Sequence, residues 1–249
     1  MRGRCLQREI NTSKVTNREK HIQVLDELHK KHLSTMKETD EFVWDGPSNW
    51  ELYENSFPRI MCLVKEARNG YHPSYPNQKT DTKFMRNLAR WSYLIREAFQ
   101  SNAPPNMPSN GELPETNDTL AIVEVKKINE EKIFSQYHDL NKYAIDDREF
   151  LKCQIDLIAP HVVLCANTLD FYDAIYDWTH LSDKNLISIG NTNCWFSDKR
   201  LVIGFYHPST FGWGDPSKKD YEYFSLLSKL LFNENVKSTI AEITPYTAL

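Results

Sequence analysis

Glu66, Glu124, Asn167 and His207 are the residues of this chain best suited to chemistry, because each stands at or near the end of an apolar run. The runs cover 60–65, 120–125, 161–166 and 201–206; each is too short for a solitary helix and suits a strand buried on both faces. Neighbouring parallel strands of an open α/β sheet bring their carboxyl ends to one edge, where such folds place their ligands. Two carboxylates, an amide and an imidazole would then line one cleft, a set equipped for acid–base work and hydrogen bonding. Taken singly, Glu66 and Asn167 read as turn or cap residues and His207 as an ordinary residue before proline. Their convergence is what marks a site. Glu66 is the first catalytic candidate, since the run that it closes breaks into the turn signal Asn69-Gly70.

The elements that must position these residues follow from periodicity. Ile22, Leu25, Leu28, His32 and Leu33 recur near helical spacing and predict an amphipathic helix over 17–36. Asp45-Gly46-Pro47-Ser48 predicts a turn, and 70–82 a loop. Phe84, Leu88, Trp91, Ile95 and Phe99 share one face of a helix over 84–99. A proline-rich loop, 101–118, leads to the second strand, and a polar loop runs from there to about residue 141. One helix is expected over 143–158, with the third strand after it. Asn167-Thr168 would cap a helix over 169–178. A hairpin around Gly190-Asn191, the fourth strand and a final helix over 221–232 complete the chain. Strands alternating with helices predict a mostly parallel sheet covered on both faces.

The composition bounds the rest. A chain of 249 residues, 40% hydrophobic, can bury one good core. We expect a leader and helix over 1–57 that packs on a main domain spanning 58–249. No run of 18 apolar residues is present, and the first eight residues lack the apolar centre of a signal peptide, so a cytoplasmic protein with no membrane partner is expected. The five cysteines are scattered without a Cys-x-x-Cys pair, and three lie in apolar surroundings as buried thiols; neither a metal nor another cofactor is expected. The formal charge is −4, but residues 1–37 carry nine Lys/Arg against four Asp/Glu. That arm suits either phosphates or plain solvation.

Val64-Lys65-Glu66-Ala67-Arg68-Asn69-Gly70 resembles the first motif of the uracil-DNA glycosylase superfamily, and Phe205-Tyr206-His207-Pro208-Ser209 resembles its second. Between them, 150–155 and 160–165 are similar to the helix and third strand of that fold. The likeness covers about 58–232 and leaves the leader unmatched. It implies a three-layer α/β/α sandwich with a central four-stranded mostly parallel sheet, and a monomeric DNA glycosylase that excises a flipped-out base. On that likeness Glu66 would hold the attacking water and His207 would donate to the carbonyl oxygen that gains charge. Tyr71 and Asn167 would contact the base; Ser209, Phe211, Lys218 and Lys219 would face DNA, with Phe211 as the wedge that replaces the base. Phe211 equally suits a place in the core under the final helix. Two departures stand out: Lys65 occupies the position of a usual glycine, and Arg68 that of a usual proline.

The second strand is the more informative departure. Where relatives carry an Asn that reads uracil, the register places Glu124, or Val123 after a one-residue slip. An ionised carboxylate only accepts hydrogen bonds, which contradicts uracil and suits the exocyclic amine of a cytosine-type base. A modified cytosine, as on some viral DNA, is the base expected. The alternative is that Glu124 pairs with Lys126 or Lys127. Two other functions stay open: an inactive nucleic-acid-binding protein of the same fold, and a hydrolase of small nucleosides.

Overall fold

The computed structural model describes residues 17–36, 42–68, 82–113, 117–130, 137–176, 186–190, 192–197, 200–209 and 216–243. In chain order these form helix Asn17–Leu33 (α1), the short strand Gly46–Pro47 (β1), helix Trp50–Glu54 (α2), strand Ile60–Arg68 (β2) and helix Lys83–Gln100 (α3). Strand Leu120–Glu130 (β3) and helices Tyr137–Asp146 (α4) and Arg148–Ile158 (α5) follow. Strand Val162–Ala166 (β4) and helix Leu169–Tyr176 (α6) lead to strands Leu186–Ile189 (β5), Thr192–Ser197 (β6) and Arg200–Phe205 (β7). Helices Pro216–Leu231 (α7) and Glu234–Ile240 (α8) end the described chain.

The fold is α/β. Its sheet has seven strands in the order β1-β3-β2-β4-β7-β6-β5, so the expected four-stranded sheet is too small. The four expected strands form its middle, β3-β2-β4-β7, and are mutually parallel; β1, β6 and β5 add antiparallel edges. The edge strand β1 was expected as a turn. Gly46 adopts φ 134°, which lets the chain swing against the outer edge of β3, with Gly46 opposite Ile122 and Pro47 opposite Ala121.

Alternation along the central strands divides the core in two. Ile60, Cys62, Leu164, Ile203 and Phe205 face Leu88, Trp91 and Ile95 of α3 together with α7 and α8. Met61, Leu63, Val123 and Val163 face Tyr53 of α2 and the apolar sides of α4, α5 and α6. Phe205 meets Trp91 edge to face at 4.8 Å, which ties the end of β7 to α3. Cys62, Cys165 and Cys194 are buried free thiols, as expected.

The stretch 143–158 was expected as one helix. It belongs to two, α4 and α5, because Asp147 has φ −98° and ψ 10°, which lets the Leu140–Ala144 and Leu151–Ile158 faces both reach the sheet. The last helix of the described chain, α8, has no counterpart in the periodicity reading. Within the first 57 residues α1 lies over α2 and α5: Arg18 pairs with Glu51 at 2.9 Å, and His32 stacks on Phe150 at 4.5 Å. No helix among the described residues is long and apolar enough to cross a membrane.

Candidate functional site

The central strands stop at different heights, and that stagger shapes the carboxyl edge. β2 pairs with β4 only as far as Leu63 opposite Cys165, but continues with β3 until Arg68 opposite Glu130. Glu66 therefore lies inside a strand, opposite Lys126, and not just past its end as expected. The polar residues continue the strand because ladder bonds are made by the backbone whatever the side chain. On its β4 side Glu66 does stand beyond the last paired residue. A shift in register between Glu66 and Arg68 marks where the ribbon bends.

Side-chain alternation places Glu66 and Glu124 on one face. Cys62 and Val64 of β2 and Ile122 of β3 belong to the α3 side of the core, and Glu66 and Glu124 continue those two rows. On β7, Phe205 belongs to the same side, and the ring of His207 lies 5.5 Å from that of Phe84 in the first turn of α3. Glu66 and His207 thus flank β4 from its two neighbours, separated by roughly 10 Å, two strand spacings. His207 accepts the Ser209 N–H at Nδ1, 3.2 Å away. A neutral ring with Nδ1 so engaged carries its hydrogen at Nε2, which makes that atom a donor.

Asn167 ends β4 between them. It has φ 60°, a left-handed conformation that Asn tolerates, and its N–H donates to the Phe205 and Cys165 carbonyls at 2.8 and 2.9 Å. Its side chain is exposed. Thr168, the second residue of the expected cap, directly precedes α6, and its hydroxyl donates to the Leu63 carbonyl at 2.7 Å.

Glu124 pairs in register with Val64, so its side chain lies on the same face of the sheet as that of Glu66. It is 1% exposed, and its Oε2 has no hydrogen-bond partner. Burial pushes its carboxyl well above the usual range, the charges of Asp45 and Glu66 push further, and Lys127 opposes them. Burial thus favours the protonated form of Glu124, in which a hydroxyl donor stands beside a carbonyl acceptor. The ionised carboxylate expected from the sequence is disfavoured by that burial. The expected alternative, a pair with Lys126 or Lys127, is also set aside. The Lys127 ammonium bonds to Asp45, and Lys126 lies over the Tyr143 ring at 5.2 Å.

Asp45 is the residue that sequence reasoning missed. Fully buried, it accepts from the Glu124 N–H at 2.5 Å, from Gln154 Nε2 at 2.6 Å and from Lys127, with His29 Nε2 at 3.3 Å. Burial alone would raise its pKa, but the Lys127 ammonium and then His29 hold it well below the usual carboxylate range. No local signal in the sequence points to this cluster, because its members come from α1, β3 and α5.

Of the residues expected to face DNA, Ser209 is half-buried beside His207, Lys218 lies in α7, and Lys219 pairs with Glu222 at 2.9 Å on the same helix. Tyr71 and Phe211 lie outside the described residues. Among the described residues no three His, Cys, Asp or Glu side chains are grouped to hold a metal ion. No family model matches this chain, and no curated protein matches it in sequence.

Proposed function

We propose that this protein is a DNA glycosylase of the uracil-glycosylase kind, a cytoplasmic monomer that hydrolyses the N-glycosidic bond of a flipped-out pyrimidine. The observation that carries the reading is that Glu66 and His207 belong to the two chain segments beside β4, at its carboxyl end, with His207 Nδ1 committed to the Ser209 N–H. A base turned out of the stack would lie between them. Glu66 accepts a proton from water as the water oxygen attacks C1′. The C1′–N bond breaks, its electron pair leaves with the base, and the Nε2–H of His207 donates to the base oxygen that gains the charge. The products are an abasic sugar and the free base.

Glu124 accommodates a cytosine-type base in either protonation state. As a neutral acid it accepts from the exocyclic amine and donates to ring N3; as a carboxylate it still accepts from the amine. Uracil matches only the neutral form. A 5-substituent would separate the target from ordinary cytosine, as modified viral DNA requires. The test is incubation with duplexes that contain uracil, cytosine or 5-substituted cytosines, followed by alkaline cleavage of abasic sites. Base release from a modified-cytosine duplex should fall ~10²–10⁴-fold in Glu66→Ala and in His207→Ala, with both variants folded. Undiminished release in both would remove the assignment. Binding without release from any of these DNAs would turn the reading to an inactive DNA-binding protein, and release from free nucleosides alone to a nucleoside hydrolase.

A further inference from the structure

The His207-Pro208-Ser209 segment is held from behind by one amide. Asn87, on the second turn of α3, is 2% exposed, and its Nδ2 donates to the Pro208 carbonyl at 2.9 Å and to Asp220 Oδ1 at 3.3 Å. Its Oδ1 accepts from Arg90 Nη1 at 3.2 Å, which fixes the orientation of the amide. Arg90 is itself buried; it spans from Asp220 Oδ2 at 3.0 Å to Asn110 Oδ1 at 2.7 Å. Lys83 adds a longer contact to Asp220, 3.8 Å. The two hydrogens of a single NH2 group thus join Pro208 and Asp220, the chain on either side of residues 210–215, to α3.

A direct link between α3 and α7 already exists in the Arg90–Asp220 pair. The bond from Asn87 to the Pro208 carbonyl adds something else: it fixes the Pro208–Ser209 peptide, whose own N–H donates to His207 Nδ1 and selects the tautomer. We infer that Asn87 is a positioning residue for His207, acting through the Pro208 carbonyl. This rests on the glycosylase reading for its effect on rate, but not for its effect on the imidazole.

A charge-swapped pair separates positioning from packing. In Asn87→Asp the side chain can no longer donate to Pro208, and two carboxylates face each other. Adding Asp220→Asn restores the link between helices, since the new amide donates to the carboxylate introduced on α3 and Arg90 keeps a carboxylate partner; the Pro208 carbonyl remains without its donor. The expected result is that Asn87→Asp/Asp220→Asn recovers the wild-type melting temperature while kcat for base release stays ~10–100-fold low and KM is nearly unchanged. The ¹⁵N shifts of the His207 ring, measured in the same proteins, should move from those of a fixed Nε2–H tautomer toward a mixture. Recovery of kcat together with stability would overturn the inference. Where the wild type releases no base, the glycosylase reading fails by itself, and the ring shifts decide: unchanged shifts in the double variant overturn the positioning role, and altered shifts sustain it.

Discussion

Asp45 shows how far one side chain can set the terms for its neighbours. It draws together Lys127 of β3, Gln154 of α5, His29 of α1 and the backbone N–H of Glu124, all of them buried. Removing its charge takes from the buried Lys127 ammonium its hydrogen-bonded counter-charge, so Asp45→Asn should lose about 3–5 kcal/mol in urea unfolding at neutral pH. Adding Lys127→Met should return most of that. Because the pKa of Asp45 is lowered on folding, its stabilisation is present above the ordinary carboxylate range and is lost as the pH falls. The gap between wild type and Asp45→Asn should therefore narrow on acidification. Glu124 runs the other way. Its pKa is raised on folding, so its contribution is complete below about pH 4 and is lost as the pH climbs. Glu124→Gln cannot ionise; its melting temperature should match the wild type near pH 4 and exceed it increasingly toward pH 9, and parallel curves would mean that the carboxyl is not protonated in the folded protein. The strands that lead to Glu66 and His207 were legible in the sequence because each holds an apolar run. Asp45 was not, since its partners lie 79, 82 and 109 positions away.

At the scale of elements, what the sequence conceals is where pairing ends. Apolar runs announce the middle of a strand, yet ladder bonds ignore side-chain polarity, so β2 and β3 carry on through Glu66 and Lys126 beyond the runs that revealed them. The same blindness hid β1. Asp45-Gly46-Pro47-Ser48 has the composition of a turn, but Gly46 and Pro47 instead close the outer edge of β3, and the Val43 N–H reaches the Lys127 carbonyl at 2.8 Å. Gly46 is indispensable to that path. Its φ of 134° is strained for any L side chain, and an added Cβ would stand 3.1 Å from Leu25 Cδ2 of α1. Gly46→Ala should cost ~1–3 kcal/mol, read as a lower melting temperature. A variant as stable as the wild type would mean that the edge strand and α1 rearrange freely around this point.

Across the whole molecule the charge is uneven in a way that the fold makes interpretable. The net charge is −4, yet residues 1–16 carry Arg2, Arg4, Arg8 and Lys14 against Glu9 alone. Helix α1 follows that stretch and is fastened to α2 and α5 by Arg18–Glu51 at 2.9 Å, His21–Glu54 at 2.8 Å and His32–Asp147 at 3.1 Å. Those fastenings lie within α1 and the body. If the four cations lie along phosphates when DNA binds, each releases condensed counterions, and binding weakens with salt by a slope of about 0.9 per phosphate on a log–log plot. Deleting 1–16 should then weaken binding to any duplex at low salt and make the slope shallower by about 3–4. Fluorescence anisotropy titrations at ~50 and ~200 mM salt measure both quantities. An unchanged slope would assign the arm to solvated surface and leave the phosphate contacts to the body. The loss should be the same for uracil, cytosine and modified-cytosine duplexes, because phosphate contacts carry no sequence information, whereas Glu124→Gln should alter the order among those bases without altering the slope.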